Sequence, residues 1–142
     1  MIDKWDKRFY GEALREIATW SKDPDVKVGA IIVSEDHRRF SKGFNGFARG
    51  IADTDERLND KIQKNELMIH AELNAIFNAT ENLTGWTLYT TRAPCINCAN
   101  AIIQVGIKRV VGPDINHGSS WMKNQFKAKK LLLEAKVEYD II

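Results

Sequence analysis

Residues 27–36 read KVGAIIVSED, a run whose centre is almost wholly apolar and rich in β-branched side chains. It lacks the alternation of a strand with one wet face, so it suits a strand covered on both sides. Such a strand needs packing layers above and below it, and the neighbouring segments can supply them. Upstream, DKWDKRFYGEALREIATWS spaces Trp5, Phe9, Ala13, Ile17 and Trp20 by fours and threes, one apolar helix stripe that Asp23-Pro24 ends. Downstream, EDHR turns the chain and RFSKGFNG reads as a second strand paired with the first. HAELNAIFNATEN reads as a helix with Leu73, Ile76 and Phe77 on one side, and TLYTT as a short strand. Pro94 stands where a helix begins, because its missing N–H costs nothing there, and Gly106 closes the helix CINCANAIIQVG. IKRVVG is a strand and INHGSS a loop. SWMKNQFKAKKLLLEAK is a helix capped by Ser119 or Ser120, with Met122, Phe126 and Leu133 as its buried stripe, and VEYDII is a last strand. A hairpin followed by helix-to-strand crossovers describes an α/β fold: a three-layer α/β/α domain with a mixed five-stranded sheet, in one domain over 1–142.

The bulk numbers narrow the partners. The chain has 142 residues, 44% hydrophobic and 28% charged, with a formal charge of +2. A balance so mildly basic argues for neither nucleic acid nor membrane. No apolar run approaches the ~20 residues of a membrane span. The start, MIDKWDKRFY, lacks the apolar stretch of a signal peptide. A cytoplasmic protein is expected, in the host cytoplasm if the source is viral. Lysines 123, 127, 129, 130 and 136 read as the solvated face of the last helix rather than a nucleic-acid stripe. TDERLNDKIQKNEL reads as a solvated helix or ordered loop; alternatively Arg49, Arg57, Lys61 or Lys64 contacts a nucleotide phosphate or another subunit.

Chemistry concentrates in two short motifs. Cys95 and Cys98, the only cysteines, lie three apart in the first turn of a helix, so their sulfurs share a face. The positive end of the helix dipole favours thiolates there. A redox pair or a structural zinc site remains an alternative, although a structural site normally takes a fourth protein ligand and none is evident. His70 is the natural third ligand, since His37 and His117 sit in turns without partners. Glu72 lies only two residues from His70, and residues so spaced do not share a helix face. If the helix begins at His70, however, a metal lies off the end of its axis. His70 then binds it from the rim, and Glu72 stays outside the ligand set as a proton shuttle. Zinc held by three side chains keeps a place for water and lowers its pKa toward ~7. The combination of His-x-Glu with Pro-Cys-x-x-Cys marks zinc-dependent deamination of a nucleobase.

Over almost its whole length the chain resembles the deoxycytidylate (dCMP) deaminases of the cytidine deaminase superfamily. The matching pieces are SKDPDVKVGAIIV, GFNGFARG, HAELNAI, LYTTRAPCINCANAII and GIKRVV. The resemblance implies conversion of dCMP to dUMP and ammonia, supplying dUMP for thymidylate synthesis. It implies one Zn2+ per chain on His70, Cys95 and Cys98, with Glu72 as shuttle. It places Asn45 on a sugar hydroxyl and the backbones of Ala71 and Ala93 on the pyrimidine edge. It further implies a homohexamer activated by dCTP and inhibited by dTTP, with Mg2+ accompanying the effector triphosphate. Gly43, Phe44, Asn45 and Gly46 belong to the effector segment, joined by Arg49 and Arg57. Ala48 replaces the usual proline of that loop, and the SKDPD segment lacks the cysteine with which some viral relatives bind a second zinc. The chain ends directly after its fifth strand, which fits a bacterial or viral member. For the substrate's phosphate, Arg92 precedes the zinc helix and the loop NHGSSW offers His117, Ser119, Ser120 and Trp121, although Trp121 equally suits the core. The competing functions are deamination of cytidine, dCTP or a transfer-RNA adenosine, and a non-enzymatic zinc or nucleotide sensor.

Overall fold

The computed structural model describes residues 1–142. Helix α1 (Lys4–Arg15) opens on a capping box: the Asp3 side chain accepts from the Asp6 amide and the Asp6 side chain from the Asp3 amide. A 3-10 turn at Ile17–Trp20 carries the chain to β1 (Gly29–Val33). There follow β2 (Phe40–Phe44), a two-residue β3 (Gly46–Phe47), α2 (Asp55–Asn59), α3 (Lys61–Leu67), a short β4 (Met68–Ile69) and α4 (Ala71–Asn78). The remainder alternates: β5 (Thr87–Thr90), α5 (Ile96–Gln104), β6 (Arg109–Gly112), α6 (Met122–Glu134) and β7 (Glu138–Ile141).

The main sheet runs β2-β1-β5-β6-β7. β1 is antiparallel to both β2 and β5, while β5, β6 and β7 are parallel. This is the mixed five-stranded sheet expected, and every residue of β1 is buried. The pleat divides β1 between two cores. Ala30 and Ile32 join Leu88, Val110, Ala75, Ile102 and Leu132 beneath α4, α5 and α6. Ile31 and Val33 join Phe9, Ala13, Ile17, Tyr89 and Val111 beneath α1. The layers are therefore α/β/α. No helix is long and apolar enough to cross a membrane.

Several expectations are corrected in phase. On α4 the buried residues are Ala71, Glu72 and Ala75, while Phe77 is 67% exposed. The cause lies in β2: a Cβ on Gly43 would stand 2.2 Å from the Ala75 nitrogen and 2.5 Å from the Ala71 carbonyl oxygen. Strand and helix backbones touch there, so the helix presents its small side. On α6 the buried residues are Gln125, Ala128 and Leu132, and Phe126 and Leu133 are half exposed. Trp121, not a serine, holds the N-cap position without a side-chain cap. Ser119 still serves the helix start, its Oγ accepting from the Trp121 amide at 3.3 Å. Trp5 and Trp20 leave the α1 stripe for the surface, whereas Phe9, Ala13 and Ile17 are buried as expected.

The charged stretch 54–67 forms α2 and α3, two short helices rather than one solvated one. Asp60 ends the first and caps the second, accepting from the Ile62 and Gln63 amides. Lys64 turns inward and is only 8% exposed. Its Nζ donates to Asp23 at 3.0 Å and Asp25 at 2.8 Å, tying α3 to the SKDPD segment.

Candidate active site

Two helix starts meet at one point. His70 is the N-cap residue of α4 and Cys95 the N-cap residue of α5, both with extended backbone and neither capping its helix with a side chain. N-terminal helix amides left open this way favour negative charge. The first amide of α5 is served from another element, since Asn124 on α6 accepts from the Ile96 N–H at 2.8 Å.

At this point the His70, Cys95 and Cys98 ligand atoms all lie within 4.8 Å of one another. His70 Nδ1 is 3.4 Å from each sulfur. Tetrahedral zinc with bonds of ~2.3 Å to sulfur and ~2.0–2.1 Å to nitrogen separates such atoms by roughly 3.6 Å. The donor set and its spacing therefore fit zinc with three protein ligands. The same crowding governs their protons. Hydrogen bonding to Cys98, helped by His70, brings the Cys95 thiol down to about 4. The bond to Cys95, burial and the Glu72 carboxylate push the Cys98 thiol up. His70 is held above its ordinary value, first of all by the Cys95 sulfur. A divalent cation takes the place of these shared protons.

Glu72 is 4% exposed and stands beside the cluster, not in it. Its Oε2 is 3.3 Å from Cys98 Sγ, and its Oε1 accepts from the Thr90 hydroxyl at 2.6 Å. Because His70 is the N-cap, Glu72 is the second helical residue and reaches the same point from inside the first turn.

A cavity of about 750 Å3 opens onto this cluster. Its near wall holds Arg92 and Trp121: the guanidinium lies 5.5 Å from the indole centroid, and the indole meets the His70 ring edge-on at 6.1 Å. Trp121 thus lines the site instead of the core. Arg92 has no carboxylate partner. The far wall holds Asn45 and Lys64. Asn45 is buried and accepts from the Val28 amide at 2.8 Å while donating to the Val26 carbonyl at 2.9 Å. One N–H and one lone pair of its amide remain free of these two bonds.

The other expected site residues divide between the cavity and places away from it. Ala71 and Ala93 line the cavity, and the Ala93 carbonyl accepts from Gln125 Nε2 at 3.2 Å. Ser120 lines it too, but His117 and Ser119 stand outside, with His117 exposed and 3.9 Å from Asp114. Gly43 is sealed against α4, and Phe44 packs edge-on against Trp20. Gly46 belongs to β3, paired with Ile69. Arg49 donates to Asn78 and Arg57 to the Ala52 carbonyl, both on the surface. Sequence reasoning missed Thr90, Asn124 and Gln125. Each resembles an ordinary strand or helix residue, and none stands in a spaced motif.

Comparison with known proteins matches residues 3–112 to the cytidine and deoxycytidylate deaminase zinc-binding region. An uncharacterized deaminase of Aliivibrio fischeri is 44% identical over 117 residues, covering 80% of this chain and 76% of that one. Human deoxycytidylate deaminase is 37% identical over 117 residues, 76% of this chain and 64% of the human one. The deoxycytidylate deaminase of Mycobacterium phage D29 is 37% identical over 122 residues, 77% of this chain and 94% of the phage one. Among solved structures, the dCMP deaminase of cyanophage S-TIM5 covers both chains fully with a TM-score of 0.77 at 23% identity, a likeness of fold.

Proposed function

The chain belongs to the zinc-binding family of cytidine and deoxycytidylate deaminases, and from that premise we propose that it hydrolyses dCMP to dUMP and ammonia. The observation that carries the reading is the buried Glu72 carboxylate beside, and outside, the His70, Cys95 and Cys98 ligand set. Zinc held by those three residues supplies a Lewis acid that makes water a nucleophile near neutral pH. Glu72 takes one proton from that water and delivers it to the pyrimidine ring nitrogen, where it stays, and then carries the second proton, from the hydroxyl now on C4, to the departing amine. Over the cycle one water is consumed, the C4–N bond breaks and ammonia leaves. Asn45 spends its free N–H or lone pair on a sugar hydroxyl, while the Ala71 and Ala93 backbones meet the ring edge. Arg92, unpaired and stacked on Trp121, meets the monophosphate, with Ser120 beside it. The deoxycytidylate deaminases at 37% identity support dCMP over other pyrimidine substrates.

Arg49 is exposed and Arg57 partly so, neither with an acidic partner, and Arg49 is tied through Asn78 to the Lys42 carbonyl just before the Gly43–Gly46 segment, which supports an effector site for dCTP and dTTP with accompanying Mg2+. Surface apolar side chains such as Ile62 and Phe77 support a homohexamer. Two free cysteines fit a reducing cytoplasm, and the one five-stranded sheet that carries both cores fits a single domain over 1–142. The test is ammonia release from dCMP, cytidine, dCTP and a transfer-RNA anticodon stem, each with and without dCTP. Turnover led by dCMP is expected. Turnover led by another member of the panel overturns the substrate, and a rate for dCMP that is flat in dCTP and dTTP overturns the effector site.

A further inference from the structure

Glu72 has a partner that its chemistry does not require and its geometry singles out. Thr90 is the last residue of β5, fully buried, on the same sheet face as Leu88 beneath α4, α5 and α6. Valine would fill such a position equally well, since it has the same branched shape. The hydroxyl is the departure, and it donates to Glu72 Oε1 at 2.6 Å. A hydroxyl carries one proton. The Arg92 carbonyl, at 3.1 Å, is the weaker claimant beside a short, charge-assisted bond. The terminal torsion of a glutamate is broad and would otherwise let the carboxylate rotate. With Oε1 held by β5, Oε2 is the oxygen left on the metal side, 3.3 Å from Cys98 Sγ.

We propose that Thr90 is a positioning residue for the deamination: it pins Oε1 of Glu72 and thereby gives the proton-carrying work to Oε2. Thr90 touches neither metal ligand nor substrate, and it acts through the carboxylate alone. The proposal rests on the reading of Glu72 as the shuttle.

Thr90→Ser and Thr90→Ala decide it, because both lose the methyl and differ by the hydroxyl. Thr90→Ser retains kcat within about threefold, whereas Thr90→Ala lowers it roughly 10- to 100-fold, the scale of a lost bond to a charged group. KM and zinc content stay at the wild-type value in both. Crystal structures of the two variants give a readout independent of turnover: the Glu72 carboxylate keeps its orientation in Thr90→Ser and loses it in Thr90→Ala. Wild-type kcat in both variants overturns the proposal. A loss in Thr90→Ser as large as in Thr90→Ala makes the methyl the active part and also overturns it. So does zinc lost only from Thr90→Ala, which would make the hydroxyl a clamp on the Arg92 loop. If wild type does not turn over dCMP, the substrate reading falls, and the carboxylate orientations in the two crystal structures still decide the role of Thr90.

Discussion

At the scale of the residue, the site depends on side chains that are missing as much as on those present. Gly43 lets β2 lie directly against the first turns of α4, and that contact fixes where His70 and Glu72 begin. Gly43→Ala sets a Cβ against two backbone atoms that cannot rotate away, and should destabilise the protein by roughly 1–3 kcal/mol, measured by urea denaturation. Arg92 makes the complementary prediction about binding. Arg92→Ala should raise the KM for dCMP about tenfold or more while leaving that for deoxycytidine nearly unchanged, since only the former carries the phosphate. Equal effects on both substrates would remove Arg92 from the phosphate. Gln125 and Asn124 hold the loop and helix around Cys95 from α6, yet in MKNQF they look like any polar helix residues. Their partners are remote in sequence, so no local spacing announces them.

Elements are joined by buried charge as well as by the two cores. Asp6 on α1 meets Arg109 on β6 through two contacts, at 2.8 and 3.0 Å, and accepts from the Tyr89 hydroxyl on β5 at 2.8 Å. Burial raises the Asp6 carboxyl, but the Arg109, Asp3 and Tyr89 hydrogen bonds outweigh it and bring it down to about 2. The folded state thus binds this proton less readily than the unfolded chain. The resulting stability is present above about pH 4 and is lost as pH falls through about 2. Asp6→Asn should remove on the order of 2 kcal/mol of that acid dependence, read by denaturation at pH 5 and pH 2.5. The strands themselves were legible in the sequence because burial on both faces leaves apolar runs such as GAIIV. The phases of α4 and α6 were not. Both helices turn small or polar residues inward, Ala71, Glu72 and Ala75 on α4 and Gln125 and Ala128 on α6, so counting large hydrophobic residues points to the wrong side. The inward turn of Lys64 was equally hidden, because its partners lie 41 and 39 residues away.

For the whole molecule, zinc on His70, Cys95 and Cys98 would join the starts of α4 and α5, the helices on either side of the middle strand β5 in the sequence. Its removal should be felt as stability. A ligand held at 1,000 times its dissociation constant contributes about 4 kcal/mol, so chelation should lower the melting temperature and zinc restore it. Cys98→Ser should abolish both the restoration and the bound zinc. The His-x-Glu and Pro-Cys-x-x-Cys motifs were legible because metal chemistry fixes residue types and spacing together. What fills the remaining cavity wall was not, since walls are assembled from the 23–28, 45, 59–68 and 120–125 segments only on folding. The central claim is that Glu72 moves protons from outside the ligand set. Its most direct measurement is ammonia release from dCMP by Glu72→Ala at zinc content matched to wild type. The account predicts retained zinc and a kcat lower by about 10²- to 10⁴-fold; a rate within tenfold of wild type, or zinc lost with the carboxylate, would contradict it.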